Sequence, residues 1–202
     1  MILVLNCGPS SLEFSLCDGG DSARTSGRIA DIGGIEPLLA LVHDGEEESR
    51  PVAAADCAEA MRQVRETLAE IYQGTSIVEA IGHRIAHGGE RFVEAALITS
   101  EVEEGIEACV RLAPLDNPAH LAGIRAARVH FPDLPQVAVF DTAFHQTLPA
   151  RAYLYALPYE LYEQDGIRRY GFHGIAHRYA PQRAAALLVT HPRQGTVGLC
   201  SG

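Results

Sequence analysis

Four short polar segments carry the side chains that could do chemistry: residues 6–11 (NCGPSS), 82–92 (GHRIAHGGERF), 141–145 (DTAFH) and 168–177 (RRYGFHGIAH). Each follows an apolar run or sits in a glycine-rich turn. Catalytic groups are commonly placed on loops at strand ends, so segments far apart in sequence can converge. Taken singly each is ordinary: Asp141 at a strand end could be a helix cap, Arg84 a surface group, and Gly88-Gly89 a turn. In combination they offer a guanidinium and imidazoles able to neutralise oxyanion charge, beside a carboxylate.

The histidines allow a rival reading. His83 with His87, and His173 with His177, form two HxxxH pairs, a spacing that on a helix puts both imidazoles on one face as metal ligands, as in a metal-dependent hydrolase. Gly82, Gly88 and Gly89 bracket the first pair, and Gly171 and Gly174 fall at the second. Both pairs are therefore expected in loops, where the spacing loses its meaning. The sequence has no HExxH, no GxxxxGK[ST] and no GxGxxG after a strand, so a P-loop or dinucleotide fold is not supported. The five cysteines, Cys7, Cys17, Cys57, Cys109 and Cys200, are odd in number and irregularly spaced, which argues for reduced, mostly buried thiols rather than a disulfide framework or zinc site.

The elements that must position these groups follow from periodicity. Residues 2–6 and 12–17 read as strands joined by a tight turn, 18–21 as another turn, 24–29 as a third strand, and the acidic run at 45–48 as a solvated loop. Ala58, Met61, Val64, Leu68 and Ile71 recur at three and four residues, predicting an amphipathic helix over 54–72 stopped by Gly74. A buried strand is expected over 77–81, helices over 101–112 and 118–130, and an apolar strand over 137–140 that ends at Asp141. Beyond Pro149 come turns containing Tyr and Pro, a helix over about 180–188 and a last strand from Thr196. A meander followed by alternating helices and strands predicts an α/β fold with a mixed sheet. The domain boundary is expected near 142–150, giving one domain over 1–145 and the start of a second over 146–202.

Composition narrows the function classes. The net charge of -10, with no clustered Lys or Arg, makes nucleic acid an unsuitable partner. Apolar runs are too short to cross a bilayer and the N-terminus does not read as a signal peptide, so a cytoplasmic location and no membrane partner are expected.

The motifs resemble those of the acetate kinase family. NCGPSSLEF looks like the family's opening hairpin, GHRIAHGGERF its substrate-binding segment, APLDNPAHLAGI a helix start, VAVFDTAFHQTLP the catalytic aspartate segment and YALPYELYEQDGIRRYGFHGIAHRY the histidine segment. Order and spacing match over residues 2–188. The resemblance implies a ribonuclease H-like fold of the acetate and sugar kinase, Hsp70 and actin type. It also implies transfer of the ATP γ-phosphoryl group to a small carboxylate, acetate or propionate, with Mg²⁺, giving an acyl phosphate and ADP. By that likeness Arg84 binds the substrate carboxylate, Asp141 is the catalytic carboxylate and His173 stabilises the transition state. Asn6 lies near the metal, Ala86, Leu115 and Phe172 line the acyl pocket, and Ser11 and Glu13 fall where the nucleotide approaches.

The sequence departs from the family pattern in places. The usual turn reads Asn-Ala-Gly-Ser-Ser-Ser-Leu-Lys, whereas Pro9 replaces a serine and Glu13 the lysine that would approach ATP. Asp116 stands where the family has a histidine, Ile175-Ala176 replace Thr-Ser, and Ala86 replaces a valine, leaving room for a longer acyl chain. The family continues with a His-Leu-Gly-Asn-Gly phosphate loop, a second arginine and a magnesium-binding glutamate that this sequence does not reach. The expectation is therefore an acyl-substrate half lacking the nucleotide half, without full activity alone. Its expected partner is a second copy of the chain or a complementary C-terminal half. The alternative is a non-catalytic truncated paralogue that binds a complementary chain.

Overall fold

The computed structural model describes residues 1–19, 23–74 and 77–187. The strand expected from Thr196, the last residue of the helix expected to reach 188, and Cys200 lie outside the described residues. Among the described residues eight strands form one mixed sheet: β1 (Ile2–Cys7), β2 (Leu12–Cys17), β3 (Thr25–Ala30), β4 (Leu38–His43), β5 (Glu46–Pro51), β6 (Ala80–Ile85), β7 (Ala96–Leu97) and β8 (Gln136–Phe140). Their spatial order is β5-β4-β3-β2-β1-β6-β8-β7. β1 through β5 run as an antiparallel meander, and β1, β6 and β8 are parallel to one another. The helices are α1 (Cys57–Tyr72), α2 (Ser100–Ala108), α3 (Asn117–His130), α4 (Ala150–Tyr153), α5 (Tyr159–Asp165) and α6 (Gly174–Leu187), with a short 3-10 turn at Ala143–Thr147.

Alternation along the strands makes one face of the sheet the core. Leu3, Leu5 and Cys7 of β1 and Leu12, Phe14 and Leu16 of β2 are buried beneath α1 and α3, which pack on each other and on these strands. In between, Ile2 and Val4 remain 45% and 40% exposed, because they point to the opposite face, which α1 and α3 do not cover. Asp56 caps α1 by accepting from Glu59 N at 2.8 Å, and Gln73 ends it in a left-handed conformation (φ 54°) before Gly74. Ala60, Met61, Val64 and Leu68 form the buried stripe of α1.

Four expectations need correction. Residues 45–48 are not a loop: Asp44 and Gly45, both at positive φ (48° and 86°), make a tight turn that joins β4 and β5 into a hairpin. Asp-Gly is a strong hairpin signal, and the glutamates lie on the edge strand, where charge discourages further pairing. The strand expected over 77–81 begins at Ala80 and runs through the Gly-His-Arg-Ile motif, pairing with both β1 and β8. The helix expected over 101–112 stops at Ala108, and the following residues turn back with Ala113 N bonded to Cys109 O and Val110 O. Helix α6 starts at Gly174 rather than near 180 and carries Pro181 inside it. Its N-terminus is anchored elsewhere, which offsets the hydrogen bond that proline removes.

Shortening Leu5, buried to 1% exposure, is expected to cost about 2–5 kcal/mol as Leu5→Ala. Val129→Ala, at a position 74% exposed, should shift stability by no more than about 0.5 kcal/mol. Urea midpoints of the two variants check this, and equal losses would contradict the one-sided core.

Candidate active site

The sheet's other face carries a row of polar side chains at matching register. Asn6 of β1 pairs across from Glu13 of β2, and Glu13 from Arg28 of β3. Leu5 pairs with His83, one residue before Asn6 and Arg84, and Arg84 of β6 lies opposite Val139 of β8. Asp141 follows β8 directly, its backbone N–H donating to Ile85 O at 2.9 Å. From these positions Arg84 donates to Asp141 Oδ2 through Nη2 (2.6 Å) and Nε (3.1 Å), and to Asn6 Oδ1 through Nη1 (3.1 Å). Asn6 Nδ2 donates to Glu13 Oε2 at 2.9 Å, and Arg28 Nη1 lies 3.3 Å from Glu13 Oε1. Four side chains on four adjacent strands and Asp141, just past the end of β8, thus form one connected row.

The pair at its centre is unevenly buried. The Asp141 side chain is 4% exposed and that of Arg84 37%, so the carboxylate is fixed in the protein while the guanidinium still meets solvent. A buried pair of this kind adds little net stability against an apolar replacement, but leaving either charge without its partner is costly. The guanidinium is therefore held in one orientation.

The loop after β6 is fastened by a residue that sequence reasoning missed. Asn117, fully buried at the start of α3, accepts from His87 N (3.2 Å) and donates to His87 O (3.0 Å) and Ile106 O (3.3 Å). The available signal was an amide at a helix start between Asp116 and Pro118. Gly88 N donates to Thr142 Oγ1 (3.0 Å) and Gln146 Nε2 to Gly89 O (2.8 Å), tying the glycine loop to the segment after Asp141. The later histidine segment reaches the same loop: the buried Arg168 pairs with Glu90 and stacks over Tyr153 at 3.8 Å. Tyr170 and Phe172 meet the His87 ring edge-on at 4.5 and 5.7 Å.

His173 precedes α6 in a left-handed conformation (φ 55°) and its side chain is exposed. Gly174 N donates to Asp141 O at 2.9 Å, and a Cβ on Gly174 would stand 2.2 Å from that oxygen, so only glycine lets the helix start so close to Asp141. His145 Nε2 donates to Phe172 O at 2.9 Å and steadies the turn before His173. Asn6, Arg84, Asp141 and His173 are thus brought to one end of the sheet. Ala86 is buried beside His87, whereas Leu115 is 76% exposed and Phe172 45%. A cavity of about 240 Å³ lies beside Asp141, lined by Val139, Phe144, Gly174 and Ile175. Another cavity, of about 630 Å³, lies on the meander between Glu13, Arg28 and Glu48 and does not include Arg84 or Asp141. Ser11 closes the turn after β1, its carbonyl accepting from Gly8 N at 2.7 Å.

The HxxxH pairs are placed differently from expectation. His83 lies within β6 and His177 in the first turn of α6, so only His87 and His173 are outside regular elements. His83 Nε2 donates to Gln136 Oε1 at 2.8 Å, and His87 Nδ1 accepts from Gly89 N at 2.9 Å. Among the described residues no group of three or more His, Cys, Asp and Glu is arranged to hold a metal ion.

Comparison with known proteins decides the family. The Acetokinase family model matches residues 1–199. The chain belongs to the acetokinase family. It is 46% identical over 188 residues to the acetate kinase of Chromobacterium violaceum, covering 93% of this chain and 47% of that protein. It is 49% identical over 190 residues to acetate kinase 1 of Vibrio vulnificus, covering 93% and 48%. Among solved structures, Porphyromonas gingivalis acetate kinase superposes with a TM-score of 0.89 at 38% identity, covering 95% of this chain and 49% of that one. A propionate kinase from Francisella tularensis gives 0.89 at 39% identity, covering 94% and 49%. The chain spans about half the length of the curated relatives it matches. Its fold is therefore that of acetokinases, the ribonuclease H-like acetate and sugar kinase, Hsp70 and actin type.

Against the acetokinase pattern, Glu13 is balanced where it stands, between Arg28 and the Asn6 amide. Asp116 is exposed at the N-terminus of α3 and makes no side-chain cap. It nevertheless acts on His120, whose ring is buried to 2% exposure with neither nitrogen hydrogen-bonded within the described residues. Burial first and the Arg84 charge second push His120 down to about 4, against the pull of Asp116, Asp141 and the nearby Cys7 backbone, which lies outside hydrogen-bond geometry. Burial also lowers His83 and His87 to about 4.

These imidazoles make stability depend on pH with a defined sign. In the unfolded chain a histidine protonates near 6.5 or so, whereas the folded values are about 4. Between those limits the unfolded state binds protons that the folded state refuses, so stability falls as pH falls through the window. The urea midpoint is expected to drop between about pH 7 and about pH 4.5, and His83→Gln should show a smaller drop. An unchanged pH slope in that variant would contradict the buried neutral assignment.

Proposed function

We propose that this chain supplies the carboxylate-binding part of an acetate or propionate kinase, which transfers the γ-phosphoryl group of ATP to a short-chain carboxylate to give an acyl phosphate and ADP. The observation that carries this reading is Arg84, oriented by the buried Asp141 and by Asn6 and still partly open to solvent, in a chain of the acetokinase family. A small carboxylate is already ionised near neutral pH and needs no base to become a nucleophile. What the reaction needs is placement and neutralisation of charge as the phosphoryl group passes between two oxygens.

In this reading Arg84 holds the substrate carboxylate by a charge-assisted hydrogen bond, one of the stronger kinds. Asp141 acts as a positioning group, since its Oδ2 already accepts two bonds from Arg84. His173, exposed beside the start of α6, supplies a donor toward the transferring group. Mg²⁺, which takes one or two protein oxygens and fills its shell with water and phosphate, would neutralise phosphate charge. Its protein oxygens would be Asp141 Oδ1 and the Asn6 amide oxygen, oxygen donors of the type this ion prefers. Ala86, Leu115 and Phe172 would shape the acyl site, and Ser11 and Glu13 would face the nucleotide. We read residues 1–145 as the acyl-substrate domain and those from 146 as the start of the nucleotide domain. The proposed location is the cytoplasm. The partner is a complementary half or a second copy, for which the half-exposed Ile2 and Val4 offer an apolar sheet face.

The test is trapping of acyl phosphate with hydroxylamine in the presence of ATP, Mg²⁺ and acetate or propionate. It is run on this chain alone and joined to the C-terminal half of the Chromobacterium violaceum acetate kinase. The joined protein is expected to form acyl phosphate, using propionate at least as well as acetate, and Arg84→Ala should lower kcat/KM by about 100- to 1,000-fold. No product from the joined protein, or an unaffected Arg84→Ala, would refute the reading. Product only on joining favours a complementary chain as the natural partner.

A further inference from the structure

A second cavity of about 240 Å³, which includes neither Arg84 nor Asp141, lies where the glycine loop, the end of α2 and the turn after α5 meet. Arg91 and Arg111 both line it, and among the described residues neither is ion-paired with a carboxylate. Acidic residues outnumber Lys and Arg by 26 to 16 in this chain, so an acid could have been placed here. Glu90, the carboxylate in the lining, is engaged by Arg168 and by the Tyr162 hydroxyl. Two guanidiniums gathered in one cavity repel each other unless an anion sits between them.

The donors converge. Arg111 Nη1 donates to Asp165 O at 3.3 Å, which fixes the guanidinium and leaves Nη2 without a partner among the described residues. A Cβ built on Gly166 would stand 3.5 Å from that Nη2 and 3.9 Å from the Tyr170 hydroxyl, so both donors face the space that the glycine keeps open. A Cβ on Gly105 of α2 would stand 3.2 Å from Arg91 Nη1, which places the second guanidinium against the helix on the other side. Between them lies the buried Cys109, whose thiol burial raises while the charges of Arg111 and Arg91 both act to lower it. Burial and then the Glu90 charge raise the Tyr170 hydroxyl above its ordinary value, so it keeps its proton and remains a donor.

We propose that Arg91, Arg111 and the Tyr170 hydroxyl form an anion site for a phosphate group, either the free ion or a small monoester, separate from the site at Arg84. Guanidinium forks match the tetrahedral oxygens of phosphate, and charge-assisted bonds of this kind are among the stronger ones. The anion would fasten three segments that are distant in sequence: the residue after the glycine loop, the connection from α2 to α3, and the histidine segment. Its hold reaches the loop itself, because the Tyr170 ring meets His87 at 4.5 Å and His87 Nδ1 accepts from Gly89 N at 2.9 Å. Bound phosphate therefore braces the glycine loop and stabilises the folded chain.

The experiment follows the arginine Nε–H signals of the full chain by nitrogen-edited NMR while inorganic phosphate is added, and measures the urea midpoint with phosphate or with potassium chloride of equal ionic strength. The Arg91 and Arg111 signals are expected to shift together to saturation, and the midpoint to rise with phosphate only. Both arginines are exposed, so their variants keep the fold. Arg91→Gln and Arg111→Gln should each weaken phosphate binding by about tenfold or more and remove the gain in midpoint, whereas Arg84→Ala should keep both. Methyl phosphate distinguishes the sources: tighter binding than inorganic phosphate supports a monoester, and weaker binding supports the free ion. Phosphate that shifts only Arg84, or binding equal in the chain and in both glutamine variants, would overturn the proposal. So would a midpoint gain that survives in the variants, since phosphate excluded from the surface stabilises any protein. None of these readouts requires carboxylate binding or turnover, so failure here is separate from failure of the kinase reading.

Discussion

Arg84 gives two hydrogen bonds to one oxygen of Asp141 and a third to Asn6, and the arrangement around it keeps that guanidinium from turning. The carboxylate is buried and cannot be left without a cation, so the arginine is bound to it for as long as the sheet is intact. The parallel alignment of β1, β6 and β8 sets the distances, because Asn6 and Arg84 lie on the first two and Asp141 directly follows the third. The ordering of the site is thus a property of strand pairing rather than of loop flexibility.

The helical layer serves the same end from beneath. α3 starts with Asn117, which grips the backbone on both sides of His87, and continues over Cys7, so the glycine loop and the end of β1 share one support. α6 begins against the Asp141 carbonyl because Gly174 has no side chain to hold it away. His173 therefore arrives beside Asp141 through a backbone contact, while Arg168 and Glu90 clamp the same segment to the loop after β6.

Much of this could be read from the sequence where chemistry and periodicity coincide. Asp141 at the end of an apolar run, Arg84 in a glycine-rich segment, and the stripe of α1 each have a local signal. The hairpin of β4 and β5 was hidden because its glutamates look solvated, although Asp44-Gly45 carries the turn geometry. The start of α6 was hidden by Pro181, whose cost is offset by the tertiary anchor at Gly174, which no local pattern shows. Asn117 and the pairing of Glu13 with Arg28 depend on contacts between distant segments. Residue spacing alone contains no trace of them.

The proposed role of Arg84 is to receive a small carboxylate in the orientation that Asp141 sets. It is tested most directly by following the Arg84 Nε–H signal by nitrogen-edited NMR while propionate is added to the protein and to its Asp141→Asn variant. A single sharp Arg84 signal that shifts to saturation in the protein, and that is broadened or unresponsive in the variant, is the predicted result. An Arg84 signal that propionate leaves unmoved, or that responds equally in both proteins, would contradict it.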